Sequence, residues 1–552
     1  MKKRLIRSIN YLSFSFLLCM ISCNTVKQER KVKEEKPNII LIMADDMGFS
    51  DLGFMGSGIE TPNIDQLASG GMVFNQFYNA GRCCPTRASL LTGLYAHNAG
   101  LGWMTASDFG LPGYRGTISK NSVTLAQTLK TAGYKNYMTG KWHVTYNKNM
   151  EPGLDNSNWP IQRGFDEYYG VLSGGGGYYL PTTLTKNNER LTPSKDFYLT
   201  EAINNSTIEM LEDHFETKKD TPFFFYVAHY APHRPLYALE DDIKKYKGKF
   251  SKGWDYFREQ RFKKMTESGL SNNWALSQRP EDIPAWNSLS EKEKAMWEMR
   301  MEVYAAQIDR MDQGIGRIIK LLKEKNELDN TIIVFLSDNG GNKESQGKNF
   351  DVESMATLGD KNFNQSYRKN WANMSNTPFR LYKSSNHEGG ISTPLIVHWP
   401  KKIKQGSITN QQGHVIDFMP TLMELAGASY PKSLNGNNIK PYQGKSLVPA
   451  FKGSVSKSGP LFFEHEADRA VIDGEWKLVS TKSLKAPYEG KWELYNLSVD
   501  RAEENNLIDK HPKIALELEQ KWNVWAKENN VLPLDARGWG VKIKSDIHTS
   551  KK

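Results

Sequence analysis

Four short apolar runs, scattered along the chain, each end at once in residues able to bind or catalyse, and this arrangement constrains the fold more than any other feature. Asn38 to Met43 leads into Asp45-Asp46, and Asn136 to Thr139 leads into Gly140-Lys141-Trp142-His143. Pro222 to Val227 precedes His229 and His233, and Thr331 to Leu336 precedes Asp338-Asn339. Strands that read as continuous apolar runs are buried on both faces, as in parallel sheets covered by helices. In open sheets of that kind ligands bind beyond the carboxyl ends of the strands, so these polar groups are expected to converge in space. A fifth run, Pro394 to Val397, adds a strand. Tyr304, Ile308, Met311, Ile315, Ile318 and Leu322 recur at steps of three or four and predict a helix with one apolar face before the strand at Thr331. The expected class is α/β, with a large mixed, mostly parallel sheet flanked by helices.

A chain of 552 residues, 39% of them hydrophobic, can bury one large domain and a smaller one. The expected division is 37–455 for the large domain and 456–552 for a small α+β domain. The latter reading rests on the strand-like runs Leu461 to Glu464, Ala470 to Ile472 and Trp476 to Ser480. A helix carrying Ile514, Leu516, Leu518, Trp522 and Trp525 follows them. Residues 236–300 are rich in charge and aromatics, including Trp254, Trp274, Trp286 and Trp297, and read as an insertion over the sheet edge. Gly174 to Gly177, flanked by Tyr178-Tyr179, lacks the Lys-Ser/Thr ending of a nucleotide-binding loop. A loop on the substrate side is the better reading.

Residues 1–23 have the charged start and apolar middle of a secretion signal, shorter than a membrane span. The ending Met20-Ile21-Ser22-Cys23 resembles a bacterial lipoprotein box, which makes Cys23 the expected lipid anchor and 24–36 a charged tether. An exported protein is expected, periplasmic or anchored in the outer membrane, with membrane contact only through the lipid. Ordinary cleavage and free secretion is the alternative. Of four cysteines, Cys19 leaves with the signal and Cys23 takes lipid, so only Cys83 and Cys84 remain and no disulfide framework is possible. The net charge of +10 admits an anionic partner. Nucleic acid is excluded, because the basic residues alternate with acidic ones and no nucleic-acid motif is present.

Cys83-Cys84-Pro85-Thr86-Arg87, followed by Leu91-Thr92-Gly93, predicts a helix with proline in its first turn and its amides aimed at a bound anion. Two buried small hydrophobes would be the bland account of the cysteines. Asp45, Asp46, Asp338 and Asn339 offer hard oxygen ligands suited to Ca2+ or Mg2+, against turn and cap roles for each pair alone. The string Cys-x-Pro-x-Arg resembles the sulfatase signature. The resemblance extends in order through Gly140-Lys141-Trp142-His143, Ala231-Pro232-His233-Arg234-Pro235, Lys383 to Gly390, and the C-terminal strings Trp492 to Leu497 and Glu503 to Leu507. Within the family, Asn376 to Lys383 and Gly253-Trp254-Asp255 look most like bacterial arylsulfatases.

That resemblance implies an alkaline phosphatase-like fold and a Cys83 oxidised to formylglycine by a formylglycine-generating enzyme. It also implies one Ca2+ held by Asp45, Asp46, Asp338, Asn339 and the modified Cys83. One hydroxyl of the hydrated aldehyde would attack sulfur while Arg87 stabilises it, and Lys141 and Lys383 would neutralise the sulfate oxygens. His233 is the expected general acid and His143 the expected base. His229 is left a structural or substrate-side role, and Ser173, His387 and His465 are expected substrate contacts. Thr86 replaces the commoner serine and Cys84 is an unusual occupant, but neither removes a required group. The expected activity is hydrolysis of sulfate esters, on sulfated carbohydrate such as sulfated galactose or on an aryl sulfate. A phosphonate or phosphate ester hydrolase of the same superfamily, or a silent protein that binds sulfated glycan, are the competing readings.

Overall fold

The computed structural model describes residues 35–271, 273–345, 365–481 and 490–532. The expected signal segment, Cys23 and all but the last two residues of the tether lie outside them. Ten strands form the main sheet: β1 (Asn38–Ala44), β2 (Met72–Phe74), β3 (Lys135–Lys141), β4 (Glu167–Val171), β5 (Leu184–Lys186), β6 (Glu189–Arg190), β7 (Phe223–Ala228), β8 (Thr331–Ser337), β9 (Leu395–His398) and β10 (Ser407–Thr409). Their spatial order is β10-β2-β9-β8-β1-β7-β3-β4-β5-β6. The central five, β8, β1, β7, β3 and β4, run parallel. β9 lies antiparallel to both β8 and β2, and β5 antiparallel to β4. All five expected apolar runs are strands of this sheet.

Strand β1 shows why the runs are continuous. Ile40, Ile42 and Ala44 point into one apolar cluster while Ile39, Leu41 and Met43 point into another, so alternation with polar residues would leave one face unsatisfied. Helix α1 (Cys83–Thr92) packs into the second cluster. Helices α2 (Gly253–Glu267) and α3 (Glu291–Glu324) pack into the first. α3 opens on a capping box of Ser290 and Glu293, which satisfies two orphan amides at its start. The expected stripe from Tyr304 to Leu322 is its buried face. In the 236–300 region Trp254 meets Trp286, Trp297 and Trp371 edge-on, at centroid distances of 4.8, 5.4 and 5.4 Å.

After the short helix α4 (Glu388–Ile391) and strands β9 and β10, the C-terminal region forms an antiparallel sheet of β11 (Leu461–His465), β12 (Asp468–Asp473), β13 (Trp476–Ser480) and β14 (Trp492–Asn496). Helix α5 (Pro512–Glu528) lays Leu518 and Trp522 against Val471 and Leu478 of that sheet. No helix among the described residues is long and apolar enough to cross a membrane.

Candidate active site

The carboxyl ends of β1, β3 and β8, the turn after β7 and the start of α1 meet at one place. Asp45 and Asp46 follow β1, Lys141 ends β3, Asp338 follows β8, and Cys83 is the first residue of α1. Lys141 Nζ donates to Asp45 Oδ2, and Lys383 Nζ donates to Asp46 Oδ1. Arg87 donates to Asp338 Oδ2 from Nε at 3.1 Å and Nη2 at 2.8 Å, and from Nη1 to the Lys141 carbonyl at 2.8 Å. His233 Nε2 stands 3.5 Å from Asp46 Oδ2. Its Nδ1 lies 2.6 Å from the Arg234 carbonyl. A carbonyl can only accept, so the ring proton is on Nδ1 and Nε2 faces the carboxylates.

Every one of these groups is nearly sealed from solvent: Asp45, Arg87, Lys141, Asp338 and Asn339 are fully buried, and Cys83 is 2% exposed. Asp46, and His143 two residues beyond the end of β3, occupy strained backbone. Asp46 has φ of 65° and His143 has φ of 53°, a left-handed region that costs a non-glycine residue on the order of 1–3 kcal/mol and persists where the surroundings over-determine it. Burial and the neighbouring Asp338 push the Asp45 carboxyl up to about 7. Burial also works against an ionised Asp46, but Lys383 and His233 outweigh it and hold that carboxyl well below its ordinary range. The Cys84 thiol, followed by Lys141, His143 and Lys383, draws the Cys83 thiol well below its usual value against the effect of burial. Burial lowers both His143 and His233 to about 4, so both imidazoles are neutral near pH 7.

These donors fit a hard divalent cation. Asp45 Oδ1 and Asn339 Oδ1 are buried oxygens with no hydrogen-bond partner, a state that costs about 1–3 kcal/mol each unless something fills it. Ligand atoms of Asp45, Asp46 and His233 lie within 4.8 Å of one another. The Asp338 carboxylate that, after burial, raises the Asp45 pKa adds a second negative charge that a dication would neutralise.

The cavity above this floor has a volume of about 820 Å3 and is lined by Cys83, His143, His233, Lys383 and Ser173, among others. Ser173 Oγ contacts Thr183 Oγ1 at 2.7 Å. The expected substrate contacts at His387 and His465 need correction. His387 is fully buried, with Nε2 3.1 Å from Glu493 Oε2. His465 is also fully buried and stacks on Trp103 at 5.8 Å. Neither lines the cavity. His229 is sealed as well, both its ring nitrogens lack hydrogen-bond partners, and it does not line the cavity.

Several residues of this site were not singled out in the sequence. Asn342 Nδ2 donates to Asp46 Oδ2 at 2.8 Å. At the cavity wall Glu344 bridges Arg82 at 3.1 Å and Arg234 at 2.6 Å. Arg82 adjoins the cysteine and Arg234 adjoins His233, so adjacency was the available signal, whereas Glu344 carried none. Gly174, expected only as part of a substrate-side loop, bears directly on the site: a Cβ there would lie 2.0 Å from His143 Cε1 and Nε2. Gly174→Ala is therefore expected to displace the imidazole and lower kcat roughly 10²-fold, read as aryl sulfate turnover. An unchanged kcat would contradict the placement of His143.

The comparisons with known proteins agree with this geometry. The sulfatase family model matches residues 37–428, and the model for the C-terminal part of N-sulphoglucosamine sulphohydrolase matches 380–528. The chain is 34% identical to an uncharacterized sulfatase of Schizosaccharomyces pombe, over 91% of this chain and 96% of that one. It is 34% identical to an arylsulfatase of Klebsiella aerogenes, over 75% and 92%. Among solved structures, Ps i-CgsB in complex with k-i-k-neocarrahexaose superposes with a TM-score of 0.65 at 25% identity, covering 91% of this chain and 95% of that one. With strand-end carboxylates, Cys83 at a helix start and a family model that spans most of the chain, this protein belongs to the sulfatase family and is a sulfuric ester hydrolase.

Proposed function

We propose that the protein removes sulfate from sulfated carbohydrate, such as sulfated galactose in glycans, with formylglycine made from Cys83 and one bound Ca2+. The observation that carries this reading is the convergence of Cys83, Arg87, Lys141, His143, His233 and Lys383 on a floor that contains two orphaned carboxyl and amide oxygens. Asp45, Asp46, Asp338 and Asn339, together with residue 83, would hold the calcium, which supplies positive charge against developing negative charge on oxygen. The hydrate of formylglycine would supply two hydroxyls on one carbon, a nucleophile and a proton source.

The chain's own groups do the rest. Lys141 and Lys383, locked on Asp45 and Asp46, present fixed positive charge to the sulfate oxygens without reorganising. Arg87 is pinned by Asp338 and the Lys141 carbonyl, so its charge stays at the foot of residue 83. His143, neutral through burial, can accept a proton from a hydroxyl at residue 83. His233 must instead donate to the departing ester oxygen. Its pKa of about 4 rises when an anionic ester settles against Nε2, because a nearby negative charge favours the imidazolium. Arg82, Arg234 and Glu344 at the wall offer donors and an acceptor for sugar hydroxyls.

Delivery to the surface through a lipid on Cys23 remains part of the proposal and rests on the resemblance of residues 20–23 to a lipoprotein box. The enzymatic reading is tested by comparing turnover of an aryl sulfate and an aryl phosphate before and after calcium is removed with a chelator. The expected result is a strong preference for sulfate, lost with the metal and restored by added Ca2+. Preference for phosphate, or full turnover without metal, would overturn it.

A further inference from the structure

We infer that Tyr179, Leu180 and Tyr237 form a subsite for a second sugar ring, joined to the ring that carries the sulfate. The inference rests on the glycan reading above and extends it from a sulfated sugar to a sulfated oligosaccharide. A cavity of about 820 Å3 lies towards the large end of the roughly 300–1,000 Å3 found for small-molecule sites. Its floor holds the sulfate-facing groups and one wall is polar, with Arg82, Arg234 and Glu344. Tyr179, Leu180 and Tyr237 line it too. Leu180 is 67% exposed, the highest value among the exposed large apolar side chains of the described residues. A single exposed apolar side chain is ordinary, but on one cavity lining with Tyr179 and Tyr237, and rimmed by Arg82, Arg234 and Glu344, it belongs to an apolar patch of the kind that marks a binding groove.

The chain path shows which part of a substrate these side chains would meet. His233 has to face the ester oxygen that leaves with the alcohol, so the alcohol part lies against the loop that carries His233, and the sulfate lies deeper, towards Cys83, Lys141 and Lys383. Tyr237 is on that same loop, four residues on. Residues 173–180 are tied to it as well. The Tyr178 hydroxyl donates to the His233 carbonyl at 2.8 Å, and the Tyr179 hydroxyl donates to the Ala238 carbonyl at 3.2 Å. The rings of Tyr179 and Tyr237 are 5.6 Å apart. Gly176 and Gly177, with φ of 133° and 84°, turn the loop through conformations that other residues rarely adopt. A Cβ on Gly177 would be 3.5 Å from the Tyr237 ring, so the turn lies directly on that side chain.

The chemistry of this wall matches carbon rather than charge. A pyranose presents a face of C–H groups with hydroxyls at its rim, and aromatic and aliphatic side chains bind such faces by area. The ring that carries the sulfate has its hydroxyls facing the arginines and Glu344. The apolar wall takes the next ring.

The test compares kcat/KM for galactose sulfated at position 3, 4 or 6 with lactose sulfated at the same position of its galactose. The expected result is a preference for the disaccharide of about tenfold or more at whichever position is cleaved. In Leu180→Ala, an exposed position that should not disturb folding, and in Tyr237→Ala, the ratio should fall towards one. A wild-type ratio within twofold, or a ratio that neither variant alters, would overturn the subsite. If no sulfated sugar is cleaved the glycan reading itself fails. The subsite is then judged by calorimetric binding of unsulfated lactose against galactose, where equal affinities overturn it and a lactose advantage lost in Leu180→Ala supports it.

Discussion

Cys83→Ala is expected to lower aryl sulfate turnover on the order of 10⁴-fold or more, the scale of removing a nucleophile, and to leave thermal unfolding almost unchanged. The substitution removes one sulfur atom at the first residue of α1 and leaves the Cβ and the helix start in place. The neighbour provides the contrast. Cys84 is fully buried, with Sγ 3.2 Å from Met104 Sδ, and does not line the cavity. Cys84→Ala should cost packing and some stability but keep turnover within a few-fold. Equal losses in the two variants would show that the cysteine pair is structural and that the nucleophile lies elsewhere.

Glu388→Ala carries the largest expected effect on stability. The Glu388 carboxylate, fully buried at the first residue of α4, accepts from Lys477 Nζ at 2.9 Å and Arg501 Nε at 3.1 Å, and its amide donates to Glu503 Oε2 at 2.9 Å. Lys477 also pairs with Glu503 at 2.7 Å. Removing one carboxylate leaves Lys477 and Arg501 buried with too little negative charge, which costs about 3–5 kcal/mol. Urea unfolding measures it, and a loss under about 1 kcal/mol would contradict it. Burial opposes ionisation of Glu388, but Lys477 and Arg501 prevail and hold it at about 2, below its ordinary 4.5. A depressed carboxyl of this kind adds stability that is complete above pH 4.5 and is lost as the pH falls towards 2. Activity should fall as well. The Gly389 amide donates to the Arg380 carbonyl at 3.0 Å, and the Gly340 amide donates to the Gly390 carbonyl at 3.1 Å. α4 therefore braces both the segment leading to Lys383 and the turn after Asn339.

How much was legible in the sequence differs by element for physical reasons. β1, β7 and β8 announced themselves because both faces are buried and the runs are uninterrupted. β4 did not, since Glu167 and Tyr169 are only half-buried and Gly170 breaks the pattern. β14 escaped because its polar and apolar residues mix at the edge of the small sheet. Asp45, Asp46, Asp338 and Lys141 could be anticipated, because each ends a strand or follows one within two residues and the sheet aligns those ends, while His143 and His233 lie two and five residues beyond theirs. Side chains whose partners are remote could not be. His387 looked like a substrate contact until its carboxylate partner appeared 106 residues away, at Glu493. Glu344 joined the wall only through Arg82 and Arg234, 262 and 110 residues away. Gly174 read as a loop glycine, with nothing in the sequence to say that His143 would press against it.

The central claim is that Cys83 becomes the reacting aldehyde, and the mass of the peptide spanning Cys83, measured on protein from its natural host alongside its aryl sulfate turnover, tests it most directly. The account predicts formylglycine at position 83 in proportion to turnover across preparations. Full turnover by protein whose Cys83 is entirely unmodified would contradict it.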